Sequence, residues 1–143
     1  MIDDTLALRV AQRLYDQEGT GRAWGIAILD AREGYASVAM KIRPDMTNGH
    51  GTIHGGMIFA LADTAFAYAC NSRNIATVAQ GASIVFLAPA GIGETLIAEA
   101  REESVSGRSG VYSVQIRTRD DQRAIAHFHG QSRSIGGAVI ELP

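Results

Sequence analysis

From Met57 to Cys70 the chain is apolar at nearly every position, and Asp63 with its neighbour Thr64 supplies the only strongly polar side chains. A helix that is apolar on every face has to be enclosed by protein or by lipid. Lipid is excluded, because a membrane span needs about 20 apolar residues and this shorter run carries an acid at its centre. The segment therefore predicts a core helix wrapped by the rest of the chain, with one carboxylate midway along it. An ionised Asp left unpaired away from water costs on the order of 3–5 kcal/mol. Either structural hydrogen bonds satisfy Asp63, or its helix face borders a cavity or a subunit interface.

The residues leading into this helix narrow the choice. Gly55-Gly56 at a helix start gives up about 1 kcal/mol of propensity per glycine relative to alanine. A local conflict of that kind tends to mark a functional or strained position. Without a Cβ, glycine lets a ligand approach the backbone. The first N–H groups of a helix lack internal partners and lie at its positive end. Gly55 is thus a candidate donor for a carbonyl oxygen that gains negative charge during a reaction. Gly55 and Asp63 are separated by roughly 12 Å of helix axis, whereas a donor and a nucleophile or base must both sit about 3 Å from one reacting group. They cannot serve the same carbonyl from one helix. If both act, a second copy must lay its helix alongside in antiparallel fashion, as a two-fold interface would, yielding two equivalent sites.

A length of 143 residues suits a single domain spanning 1–143. With 46% hydrophobic and 20% charged residues the composition is that of an ordinary globular protein. The net charge of −2 argues against nucleic acid as a partner. The one cysteine, Cys70, lies in the apolar helix. It has no intrachain disulfide partner, and a buried free thiol suits a reducing compartment. No cationic stretch followed by an apolar core opens the chain, so the cytoplasm is the expected location, with no membrane partner.

Around the central helix the pattern reads as strands. Asp3 to Gln17 predicts a short amphipathic helix, with cap-type residues at Asp3, Asp4 and Thr5 and apolar Leu6, Val10 and Leu14 at helical spacing. Gly19-Thr20-Gly21 is expected to end it. Trp24–Ala31 and Tyr35–Ile42 predict a hairpin about Arg32-Glu33-Gly34. Strands are expected at Thr77–Leu87, Thr95–Glu103, Gly110–Arg119 and Arg123–Ser134, with a loose tail over 135–143. The class is α+β, an antiparallel sheet wrapped around one long helix.

Further side chains are weighed for chemistry. His50 with His54, and His127 with His129, have spacings that can bind metal, but no convincing third ligand is spaced with them, and no metal is expected. Asn48 can hold a carbonyl or a water through its amide, or serve as the turn residue of Asn48-Gly49. Gly107-Arg108-Ser109-Gly110 signals a tight hairpin. Arg108, with Arg101, Arg117, Arg119 and Arg133 nearby, is either a phosphate contact or solvated charge at a strand edge. Cys70, buried and without a sequence-adjacent His or Lys, reads as inert packing.

The run from Asn48 to Ser72, the segments S-I-V-F-L-A-P-A-G-I-G-E-T-L-I-A-E-A and G-R-S-G-V-Y, and the closing A-H-F-H-G-Q-S resemble the hotdog-fold thioesterases of the phenylacetate-degradation (PaaI) type. The resemblance implies a catalytic carboxylate at Asp63, an oxyanion donor at Gly55, and site roles for Asn48 and His54. It implies substrate contacts for Gly56, Thr64 and Arg108, with an acyl pocket lined by Phe59, Phe66 and Tyr68. The activity implied is hydrolysis of an acyl-CoA thioester without a cofactor, because CoA is part of the substrate. An aromatic acyl group such as phenylacetyl follows from the resemblance alone, with a short aliphatic acyl group as the alternative. Sites built across a homodimer, itself paired into a dimer of dimers, are implied as well. The rival readings are a non-catalytic acyl-CoA-binding regulator, and a hydratase or dehydratase that moves protons through a pair of His54 and an acid.

Overall fold

The computed structural model describes residues 5–143. Helix α1 runs from Leu6 to Gln17 and is capped by Thr5, whose hydroxyl accepts the Leu8 N–H at 3.2 Å. Val10 and Ala11 are fully buried, where the helix packs on the first strand and on the central helix. Asp3 and Asp4, read as cap residues, lie outside the described residues. A second short helix, α2 (Thr20–Trp24), follows where the sequence predicted a stop and then a strand. Gly25 ends it in the left-handed region (φ 66°), and Trp24 therefore belongs to a helix.

Strands β1 (Ala27–Arg32) and β2 (Tyr35–Lys41) form the expected hairpin. The central helix, α3, spans Gly55–Cys70. It is followed by β3 (Thr77–Phe86), β4 (Thr95–Ser106), β5 (Ser109–Thr118) and β6 (Ala124–Ser134). All six strands join one antiparallel sheet in the order β1-β2-β4-β5-β6-β3. The alternation read in β5 is realised, with Tyr112, Val114 and Ile116 facing the helix and Val111, Ser113, Gln115 and Arg117 facing away. Burying the apolar face of a curved sheet against an apolar helix is the physical basis of the fold.

Two elements behave differently from the sequence reading. β3 is long and apolar, yet it is an edge strand exposed on both faces, with Val78, Val85 and Phe86 between 45% and 60% accessible. The tail is tied down rather than loose. Asn74, itself in the left-handed region, accepts the Val139 and Ile140 N–H groups at 2.9 and 2.8 Å and donates to the Ile140 carbonyl at 2.9 Å.

Candidate active site

The approach to α3 is built by Asn48. Its side-chain oxygen accepts the His50 N–H (2.9 Å) and the Thr52 N–H (3.2 Å), while its amide nitrogen donates to Thr52 Oγ1 (3.1 Å) and the Ile53 carbonyl (3.4 Å). These bonds close the loop that sets His54 at the helix start, and they occupy the Asn48 side chain with loop geometry. His54 is the N-cap of α3, and its Nδ1 accepts the Gly56 N–H at 2.9 Å. Capping by a ring nitrogen does what Ser or Asp usually does, satisfying one of the orphan donors. The Met57 and Ile58 N–H groups are taken by the His54 carbonyl. Among the described residues, the Gly55 N–H donates to no protein acceptor. It is the unspent donor at the positive end of the helix.

Asp63 lies one face further along. Thr64, its neighbour, is buried and returns its hydroxyl to the Ala60 carbonyl (2.7 Å), so that oxygen is spent on the helix itself. Asp63 is half-buried and makes no hydrogen bond or ion pair among the described residues. Burial alone raises its pKa. Of the two options raised by the sequence, structural satisfaction is thus excluded within one protomer. The half-buried or exposed positions of α3 are Gly55, Gly56, Met57, Phe59, Ala60, Asp63 and Ala67. Gly56, Ala60, Asp63 and Ala67 recur at helical spacing, forming an open stripe of mostly small residues with the carboxylate in its middle. Phe59 stands midway between Gly55 and Asp63 on this helix.

The aromatic residues divide between core and stripe. Phe66 is 1% exposed, its ring set edge-on to Tyr112 (centroids 5.5 Å apart) and tilted against Phe128 (5.8 Å). Enclosed by its own sheet, it has no open side, and the structure corrects its expected place in the acyl pocket to one in the core. Tyr68 is likewise fully buried and donates its hydroxyl to the Glu18 carboxylate, pinning the end of α1 to α3. Burial raises the Glu18 carboxyl, the Tyr68 bond opposes this, and the nearby Asp63 charge raises it further. Only Phe59 of the three is partly open, its ring edge-on to Phe128 at 5.3 Å. A residue that sequence reading did not single out stands at the oxyanion candidate: the Phe86 ring lies against Gly55, so close that a Cβ there would sit 2.9 Å from Cζ. The two are far apart in sequence, and no local pattern signals the contact.

The remaining candidates are peripheral. Arg108 is exposed in the β4–β5 turn beside Gly107 (φ 61°) and makes no side-chain hydrogen bond or ion pair among the described residues. Arg117 pairs with Glu99, and Arg101 stands over the Tyr35 ring (4.8 Å), both on the outer face of the sheet. His50, His127 and His129 are exposed, and among the described residues no group of three His, Cys, Asp or Glu side chains is placed to hold a metal ion. Burial pushes the Cys70 thiol up to about 12, consistent with inert packing. Among the described residues no helix is long and apolar enough to cross a membrane.

A long helix cradled in a six-stranded antiparallel sheet is the architecture of a known family. The thioesterase superfamily model matches residues 50–125, and the chain belongs to that superfamily, with its hotdog fold. Within it, the acyl-coenzyme A thioesterase PaaI of Escherichia coli (strain K12) is 43% identical over 129 residues, covering 90% of this chain and 91% of that protein. The structure of the E. coli PaaI protein from the phenylacetic acid degradation operon superposes with a TM-score of 0.90 at 42% identity, covering 93% of this chain and 96% of the other. A mutant structure of the phenylacetic acid degradation protein PaaI from Thermus thermophilus superposes at 0.77 with 35% identity, over 80% of this chain and 97% of that one.

Proposed function

We propose that this protein is an acyl-CoA thioesterase whose site is shared between two protomers. The observation that carries the reading is the pairing of an unspent Gly55 N–H with an unpartnered Asp63 on the open stripe of the same helix. The thioester oxygen rests on the Gly55 N–H, where the helix dipole favours the developing oxyanion. Asp63 of the opposite protomer then acts in one of two ways. Its carboxylate attacks the carbonyl carbon, the C–S bond breaks, CoA leaves as thiolate, and water hydrolyses the resulting anhydride. Alternatively it takes a proton from the water that attacks. Oxygen-18 from solvent appearing in Asp63 during a single turnover identifies the first route.

The open stripe and the exposed β3 edge support a homodimer, because both are surfaces that a second copy covers at once. A two-fold axis beside Phe59 sets Gly55 of one helix level with Asp63 of the other. Asn48 and His54 act as positioning residues that hold the loop and helix start, His54 through the capping bond its Nδ1 accepts from the Gly56 N–H. Gly56 and Phe59 flank the acyl group, and the free guanidinium of Arg108 suits the phosphates of CoA. The resemblance to PaaI proteins supports an aromatic acyl group of the phenylacetyl kind, a dimer of dimers and a cytoplasmic location; no cofactor takes part.

The test is thiol release from phenylacetyl-CoA. Asp63→Asn is expected to abolish it. Gly55→Pro deletes the N–H at a first helical position that tolerates proline after the extended His54 (φ −69°, ψ 137°), and its added carbons meet the Phe86 ring. It is expected to cost roughly 10²–10³ in kcat. Gly55→Ala, which keeps the N–H, controls for the added carbon. Full activity in Gly55→Pro would refute the donor role.

A further inference from the structure

The stretch of β3 nearest the site ends in a side chain with an unusual placement. Strand alternation puts Ala82, Ile84 and Phe86 on the helix side of the sheet, opposite Gly130, Phe128 and Ala126. Ile84 packs against the core, whereas Phe86 projects past it and remains 51% exposed. Its pairing partner Ala126 is small, and Phe86 takes part in none of the aromatic contacts that join Phe59, Phe66, Tyr112 and Phe128. What it does touch is Gly55. An alanine-type Cβ at Gly55 would lie 2.9 Å from Cζ and 3.3 Å from both Cε atoms, so the tip of the ring fills the space that any side chain at Gly55 would need. The absence of a side chain at Gly55 therefore admits an aromatic ring beside the one free N–H of the helix.

Val85 and Leu87 beside it are as exposed on the β3 edge that a second copy covers, so what singles Phe86 out is its ring against Gly55. We propose that Phe86 is a specificity-determining residue, walling the acyl site next to the Gly55 N–H and selecting a flat aromatic acyl group over a saturated chain. The proposal rests on the thioesterase reading with Gly55 as oxyanion donor. Its chemistry is that of ring pairs. An aromatic acyl group sets its electropositive edge against the electronegative face of Phe86, or stacks offset on it, and a saturated chain gains only the apolar contact.

The experiment compares kcat/KM for phenylacetyl-CoA and hexanoyl-CoA in wild-type protein, Phe86→Leu and Phe86→Tyr. Leucine keeps apolar bulk and removes the ring, and tyrosine restores it. Phe86→Leu is expected to lower the phenylacetyl-to-hexanoyl ratio by roughly 3- to 10-fold, and Phe86→Tyr is expected to hold the ratio near the wild-type value. A ratio unmoved in Phe86→Leu, or lowered equally in Phe86→Tyr, overturns the proposal while leaving thioester hydrolysis intact. If wild-type protein releases thiol from neither substrate, the thioesterase reading fails first and this proposal falls with it.

Discussion

Gly130 on β6 faces the middle of α3, and the reason it is glycine is Phe66. A Cβ built at Gly130 would sit 2.7 Å from both Cε1 and Cζ of that ring and 2.9 Å from Cδ1, where ordinary contact lies at 3.4–4 Å. The ring cannot swing away, because it is 1% exposed and held by Tyr112 and Phe128. Backbone strain plays no part, since Gly130 is not among the positive-φ glycines. Gly130→Ala must therefore lift the helix from the sheet or force the ring off its rotamer, and overpacking of this kind costs about 1–3 kcal/mol. Thermal unfolding at fixed protein concentration should show a drop in Tm of about 3–10 °C. Phe66→Leu removes the offending atoms, so the double variant Gly130→Ala/Phe66→Leu should melt above the value expected by adding the two single effects, by a coupling of about 1 kcal/mol or more. Thiol release should track the same pattern, because Phe66 and Asp63 ride on one helix. A Gly130→Ala protein that melts like wild type, or a double variant whose effects simply add, would refute this account of Phe66 as a core spacer.

Asp63 carries a pH signature. Burial raises its pKa, so if the carboxylate acts in its ionised form, activity is expected to fall on acidification at a higher pH than an ordinary aspartate would give. The same shift means that the folded protein holds this proton more tightly than the unfolded chain does. Ionised Asp63 therefore subtracts stability above its folded-state pKa and subtracts none below the unfolded value. Asp63→Asn should melt above wild type at neutral pH, with the gap closing in acid, as Tm measured across pH will show. His54→Ala removes the cap on Gly56 and should cost about 0.5–2 kcal/mol of stability together with kcat, checked by denaturant unfolding and thiol release. Asn74→Ala strips the acceptor from the Val139 and Ile140 N–H groups and should cost about 1–3 kcal/mol, with faster hydrogen exchange confined first to the tail.

Much of the architecture was legible because it is written in periodicity. The apolar run with Asp63 at its centre announced α3, and the alternation of Val111 to Thr118 announced β5 with its correct faces. The open glycine amide followed from helix physics alone. What escaped reading depends on contacts between distant residues. An apolar run has the same appearance on all sides, so nothing local distinguished enclosed Phe66 and Tyr68 from half-open Phe59. α2 is a helix of 5 residues containing Gly21, too short for periodicity to register. The tail is held by Asn74, 66 residues before Ile140, and Phe86 meets Gly55 across a loop and the whole of α3.

The shared site is most directly tested by mixing two disabled proteins. Asp63→Asn protomers retain the Gly55 donor, and Gly55→Pro protomers retain the carboxylate. After unfolding and refolding in equal amounts, about half of the dimers are mixed and each mixed dimer holds one intact site of its two, so about a quarter of the wild-type thiol release should return. Activity no greater than the average of the separate parents would show that Gly55 and Asp63 do not work across subunits.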